Sequence, residues 1–270
     1  MPIRLIALDI DATLTSRPTE VSERNRNAIQ AAADRGVQVI VATGRGCFAT
    51  RPIWKLLDLH GPSIQYGGAL TVEIDTERVI EQHTLDPKVV QEILIFAAEA
   101  GIPAQVYQND VVIFERMTPA AERYVMRHTL PYQIVPDIRE RLFENVPKVL
   151  AFSEIERQDE MLERFRARFR GEAEVSRSMP GYIEINCLHV TKGSALESLA
   201  GRLGIDRSEV AAVGDNYLDS EMIEWAGVGV CVANGADSVK EQADIVVPAC
   251  DEDGVAYFIE RYVLPQGRLS

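Results

Sequence analysis

The chain has 270 residues, of which 46% are hydrophobic and 26% charged, enough to bury one large core or two unequal ones. Its 28 Lys and Arg against 41 Asp and Glu leave a formal net charge of −13, which disfavours nucleic acid and anionic membrane as partners. An anionic substrate would need local positive charge. The N-terminal apolar run is short and is interrupted by Asp9, so neither a signal peptide nor a spanning helix is expected, and a cytoplasmic location follows by default. Cys47, Cys187, Cys231 and Cys250 have neither CxxC nor zinc spacing and read as buried thiols in a reducing compartment.

In chain order, "IRLIALDI" (3–10) predicts a strand buried on both faces, and "SERNRNAIQAAADRG" (22–36) a helix capped by Ser22 and stopped by Gly36. "VQVIVATGR" (37–45) predicts a second buried strand. Then the texture changes. A helix near 87–100 precedes a hairpin, "AQVYQNDVVIFE", turning at Asn109–Asp110, and a strand "KVLAFSE". A charged helix over about 156–170 leads to paired strands "EAEVSRS" and "GYIEIN". Alternation returns with a helix carrying Ala195, Leu196, Leu199, Ala200 and Leu203, the strand "VAAVGD", a helix near 219–226, and strands "GVGVCVAN" and "ADIVVP". The outer segments predict an α/β domain, a doubly wound parallel sheet built from 1–83 and 187–270. The middle, 84–186, predicts an inserted α+β domain with an antiparallel sheet.

In open α/β sheets ligands bind beyond the carboxyl ends of the strands, so polar residues there carry information. The first strand ends in Asp9 and Asp11, the second in Thr43-Gly44-Arg45, and "VAAVGDNYLDSEM" in Asp215, Asn216 and Asp219. Two carboxylates about 6 Å apart repel by roughly 3 kcal/mol at an effective dielectric near 20, so this crowding asks for a cation or a shared proton. In "HVTKGSALESLAGRLG", Thr191 is placed to cap a helix and Lys192 sits in its first turn, where a cation opposes the helix dipole unless an anion binds beside it. Asp219, before a helix, serves equally well as an N-cap, and Arg45 equally well as substrate ligand or structural ion pair.

"DIDATLT", "VATGR", "TKG" and "GDNYLD", in that order, resemble the four motifs of the haloacid dehalogenase superfamily of phosphohydrolases. With about a hundred residues between the second and third motifs, the chain is similar to the Cof-type subgroup, whose Rossmann-like core carries an α+β cap. The resemblance implies a Mg²⁺-dependent phosphatase acting on a small-molecule phosphate ester such as a sugar phosphate, nucleotide or cofactor phosphate. It makes Asp9 the nucleophile that becomes an aspartyl phosphate, and Asp11 the general acid and base. It gives Thr43, Gly44, Arg45 and Lys192 to the phosphate, with Thr43 and Lys192 also counted as catalytic. Asp9, Asp11 through its carbonyl, Asp215 and Asp219 go to the metal, with Asn216 as a further candidate. A monomer or small homo-oligomer is expected.

Two positions depart from the family pattern. Ala12 follows Asp11 where glycine is usual, and "QYGGAL" at 65–70 has Gly67 where many Cof-like members carry asparagine, losing an amide near the substrate. The alternatives are a phosphosugar mutase of the same superfamily, a response-regulator-like receiver, and a dinucleotide-binding oxidoreductase suggested by "GRGCFA". The last match lacks the acid expected ~20 residues on at the close of the next strand.

Overall fold

The computed structural model describes residues 2–16 and 20–266, so residues 1, 17–19 and 267–270 of the predicted outer domain lie outside the described residues. The chain begins with β1 (Leu5–Leu8), α1 (Glu23–Ala33), β2 (Gln38–Val41), α2 (Cys47–Leu57) and a meander of β3 (Pro62–Gln65), β4 (Leu70–Glu73) and β5 (Arg78–Gln82). The middle holds α3 (Pro87–Glu99), β6 (Ala104–Gln108), β7 (Val111–Phe114), α4 (Pro119–His128) and β8 (Tyr132–Ile134). It continues with β9 (Lys148–Phe152), α5 (Gln158–Arg168), β10 (Ala173–Arg177) and β11 (Tyr182–Cys187). The last stretch is α6 (Lys192–Leu203), β12 (Val210–Gly214), α7 (Ser220–Trp225), β13 (Val228–Val232), α8 (Asp237–Gln242), β14 (Ile245–Val247) and α9 (Gly254–Phe258).

Two compact units result: 1–45, 50–80 and 191–270 form one, 46–49 and 81–190 the other. In the first, five strands run parallel in the order β14-β13-β12-β1-β2. Every residue of β1 and β12 is buried, as expected of parallel strands covered on both faces. Leu5, Ala7, Ile40, Val210 and Ala212 of the sheet share a core with Leu196 and Leu199 of α6. Beyond β2 the ladder is carried on by a bridge from Ala42 to Ile64, so β3 flanks the sheet.

The inserted unit has a six-stranded sheet in the order β10-β11-β9-β6-β7-β8, antiparallel except for the β7–β8 pair. Phe96, Phe165 and Phe169 meet edge to face or tilted over Val106, Val149 and Ile183, with Phe96 and Phe165 centroids 4.9 Å apart. The hairpin turns at Asn109 and Asp110, both with positive φ, as its sequence predicts. No helix among the described residues is long and apolar enough to cross a membrane. None of the four cysteines is in a disulfide; Cys47 and Cys231 are buried as expected, whereas Cys187 and Cys250 are only half-buried.

Candidate active site

Parallel pairing brings the ends of β1, β2 and β12 to one rim of the first unit. Asp9 stands one residue past β1, its amide still bonded to the carbonyl of Val213 on β12 at 2.9 Å. The chain then turns tightly: Ala12 N–H donates to the Thr15 carbonyl and Thr15 N–H to the Ile10 carbonyl, both at 2.9 Å. Ala12 takes φ +64° in this turn, which explains why glycine is the usual choice there. Asn234, after β13, steadies it: its Nδ2 donates to the Ala12 carbonyl at 2.7 Å while its Oδ1 accepts from Cys250 N–H at 2.8 Å. Left-handed backbone costs a non-glycine residue roughly 1–2 kcal/mol, against a loss of about 0.5–1 kcal/mol in chain entropy for glycine. Ala12→Gly should therefore stabilise the protein by about 0.5–1 kcal/mol, read as a higher urea midpoint at unchanged slope. A lower midpoint would show that the turn is not strained.

Lys192 lies at the first position of α6, capped by Thr191, whose Oγ1 accepts from Ser194 N–H. Its Nζ reaches inward and donates to Asp9 Oδ1 and Asp219 Oδ1, each at 2.6 Å, and all three residues are buried. The cation that the sequence placed against the helix dipole is thus matched by two carboxylates. Burial alone would lower the Lys192 pKa, but Asp219 and Asp9 outweigh it and raise it.

Asp219 stands at the N-cap position of α7, but its side chain makes no capping bond there. Its Oδ2 accepts instead from the backbone N–H groups of Asp215 (3.0 Å) and Asn216 (3.1 Å). Only glycine at 214 permits this, since a Cβ there would lie 2.4 Å from the Asp219 Cβ. Asp215 Oδ1 accepts from Thr13 Oγ1 and Asn216 Nδ2, both at 3.0 Å, while Asn216 Oδ1 accepts from Leu218 N–H. Carboxylate oxygens of Asp9, Asp215 and Asp219 lie within 4.8 Å of one another.

One positive charge does not balance three carboxylates. Desolvation, then Asp219, pushes the Asp9 pKa up to about 7 against the pull of Lys192; desolvation, then Asp9, pushes Asp215 up to about 8. Asp9 Oδ2 is buried without a hydrogen-bond partner among the described residues. That orphaned oxygen beside two further carboxylates is a donor set suited to a hard divalent cation.

Thr43, two residues past β2, is buried; its Oγ1 accepts from Arg45 N–H at 3.2 Å. Arg45 forms a two-point ion pair with Asp11, Nε to Oδ2 at 2.7 Å and a terminal nitrogen to Oδ1 at 2.6 Å. In the structure, therefore, Arg45 takes the ion-pair alternative. Gly44 lies in the turn between them. The "QYGG" segment forms a wall behind Lys192: Gly67 N–H donates to the Thr43 carbonyl at 2.9 Å, and a Cβ on Gly68 would lie 2.2 Å from the Thr191 carbonyl oxygen. Sequence reasoning missed Thr13, Gly68, Gly214 and Asn234 as supports; only the glycines, adjacent to motif residues, carried a signal. Every predicted site residue, Asp9, Asp11, Thr43, Gly44, Arg45, Lys192, Asp215, Asn216 and Asp219, lies in the first unit.

A family model for haloacid dehalogenase-like hydrolases matches residues 6–259. The chain belongs to that family. This haloacid dehalogenase-like hydrolase is 30% identical over 262 residues to the 5-amino-6-(5-phospho-D-ribitylamino)uracil phosphatase YcsE of Bacillus subtilis, covering 97% of this chain and 96% of that protein. It is similar to the crystal structure of a haloacid dehalogenase-like hydrolase from Bacteroides thetaiotaomicron, at 27% identity and TM-score 0.86 over 96% of this chain and 99% of that one. TM0651 from Thermotoga maritima shares 31% identity at TM-score 0.81, over 96% and 97% of the two chains. This hydrolase is a phosphatase, and the oxidoreductase and receiver alternatives fall away with the family.

Proposed function

We propose that this phosphatase hydrolyses small phosphate monoesters with Mg²⁺, through a phosphoryl group carried on Asp9. The observation that carries the reading is the state of Asp9: one oxygen is held by Lys192 and the other has no hydrogen-bond partner among the described residues. Mg²⁺ would be held by Asp9 and Asp215, where it would balance the carboxylates and the negative charge of the ester. Asp219, with Oδ1 on Lys192 and Oδ2 on two backbone amides, serves as the positioning residue for both.

In the first step an Asp9 oxygen attacks phosphorus, the ester P–O bond breaks, and Asp11 supplies the proton that the leaving oxygen takes up. In the second, water attacks the same phosphorus, Asp11 takes its proton, and the bond to Asp9 breaks to release phosphate. Lys192 orients Asp9 and offsets its charge, and Thr43 offers its hydroxyl proton to a phosphoryl oxygen. Both Asp11 carboxyl oxygens accept from Arg45, so the acid role requires that pair to open when an ester arrives. These groups account for phosphate and cation and leave recognition of the rest of the molecule to 84–186, which we read as the substrate-choosing cap. That relatives such as YcsE carry names of ribitylaminouracil phosphatases makes polyol and sugar phosphates the first class to screen.

The test is phosphate release from a panel of phosphate esters with Mg²⁺ or EDTA. Release that needs Mg²⁺, with Asp215→Ala raising the Mg²⁺ requirement at least about tenfold, supports the reading. EDTA-resistant turnover would sink it, and a requirement for a bisphosphate activator would mark a mutase instead. Asp11→Asn should slow the phosphoryl-transfer step of an alkyl phosphate by about 10²–10⁴-fold and that of p-nitrophenyl phosphate far less, because only the poor leaving group needs a proton. Equal losses in rapid-quench measurements would remove Asp11 from the acid role.

A further inference from the structure

The inserted unit contains a cavity of about 690 Å³ at the end of its sheet where β6 begins and β7 and β8 end. This lies within the range of roughly 300–1,000 Å³ typical of small-molecule sites. Leu94, Phe114, Ile134 and Phe152 give it apolar walls, and none of its lining residues belongs to the acid cluster.

Five polar side chains break that lining, Gln105, Glu115, Arg116, Thr118 and Arg139, and two of them bear on a ligand. Gln105 is fully buried; its Nε2 donates to Tyr107 Oη at 2.8 Å, and its Oε1 has no hydrogen-bond partner among the described residues. A buried acceptor of this kind is rare in native proteins and asks for a donor. Arg116, also on the lining, is exposed and joins no ion pair among the described residues, whereas its neighbours Glu115 and Arg139 neutralise each other at 2.5 Å. The local charge is therefore positive in a chain of net charge −13.

We propose that this cavity is a second binding site, for a small anionic molecule with an apolar ring or chain. The apolar body lies against Phe114 and Phe152, an N–H or O–H of the ligand donates to Gln105 Oε1, and the anion pairs with Arg116.

8-Anilinonaphthalene-1-sulfonate combines aromatic body, N–H donor and anion, and is the probe. Titrated into the full-length protein and followed by fluorescence and calorimetry, it should bind saturably at one site per chain. Arg116→Glu and Ala98→Trp, both at exposed lining positions, should each weaken binding at least about tenfold, and Gln105→Met about fivefold. Thermal midpoints equal to wild type would show that the probe reads the cavity rather than loosened structure. Orthovanadate with Mg²⁺, directed at the phosphatase site, should leave binding unchanged, so the result stands apart from the fate of the phosphatase reading. Non-saturable binding, affinity indifferent to Arg116→Glu and Ala98→Trp, or displacement by vanadate would each overturn the proposal. If Gln105→Met fails to fold, the two surface variants decide the matter alone.

Discussion

Asp9→Asn should lower phosphate release by at least about 10⁴-fold, because the amide is a poor nucleophile. The loss should fall on kcat, and no phosphorylated protein should survive an acid quench. Asparagine preserves shape while removing one of three crowded carboxylates, and Lys192 keeps its bond to Asp219. The variant should therefore melt no lower than wild type at pH 8 without metal, which separates a chemical defect from misfolding. Retention of a tenth of the activity, or of an acid-stable phosphoenzyme, would take the nucleophile away from Asp9.

The same crowding predicts an unusual dependence of stability on pH. Asp9 and Asp215 titrate near 3.8 when unfolded, and burial with repulsion from neighbouring carboxylates lifts them to about 7 and about 8 in the folded protein. Across that interval the folded state binds more protons than the unfolded one, so stability falls as pH rises. The destabilisation is absent below about pH 4 and complete above about pH 8. EDTA-treated protein should therefore melt higher at pH 5.5 than at pH 8, and added Mg²⁺ should raise the midpoint more at pH 8, where the carboxylates are charged. His60, raised by Asp75, acts in the same direction but is an exposed group, and His60→Ala provides the control. Lys192→Met should exaggerate the effect. Removing the one cation leaves buried carboxylates unpaired, a loss of about 3–5 kcal/mol at pH 8 that protonation at pH 5.5 largely restores. A midpoint flat or rising from pH 5.5 to 8 without metal would contradict this account.

The parallel sheet was legible because β1 and β12 are continuous apolar runs and β2 is one after Gln38, each followed closely by polar residues. That signature marked both the fold and its ligand rim. Other elements left weaker traces. Strand β8 is exposed at all three residues, so no alternation betrays it, and α4 was announced only by Thr118 capping Ala121 N–H ahead of Pro119. The expectation of four buried thiols holds for Cys47 and for Cys231, which burial drives to about 12, but Cys187 and Cys250 are only half-buried. Partnership within the site was the least legible. Nothing local says that Asp219 turns from capping α7 to bonding two amides upstream, or that Arg45 reaches Asp11 across 34 positions. Local pattern reports which face a residue lies on; it does not report which distant chain segment arrives there.

The place of β1 in its sheet also sets a schedule for the growing chain. β1 is flanked by β2 and β12, and its register with β12 joins Arg4 to Glu209, residues 205 positions apart. At about 5–20 residues per second, a ribosome delivers the second neighbour roughly 10–40 s after the first strand emerges. Throughout that interval "LIAL" has one open edge and incomplete cover, a surface that invites pairing with other nascent chains. The inserted unit, with its own aromatic core, is complete in sequence before β12 exists and can fold during the wait. Lys192, Asp215 and Asp219 are made in the same late window, so Asp9 meets its cation and its fellow carboxylates only when the strand that shelters it has been synthesised.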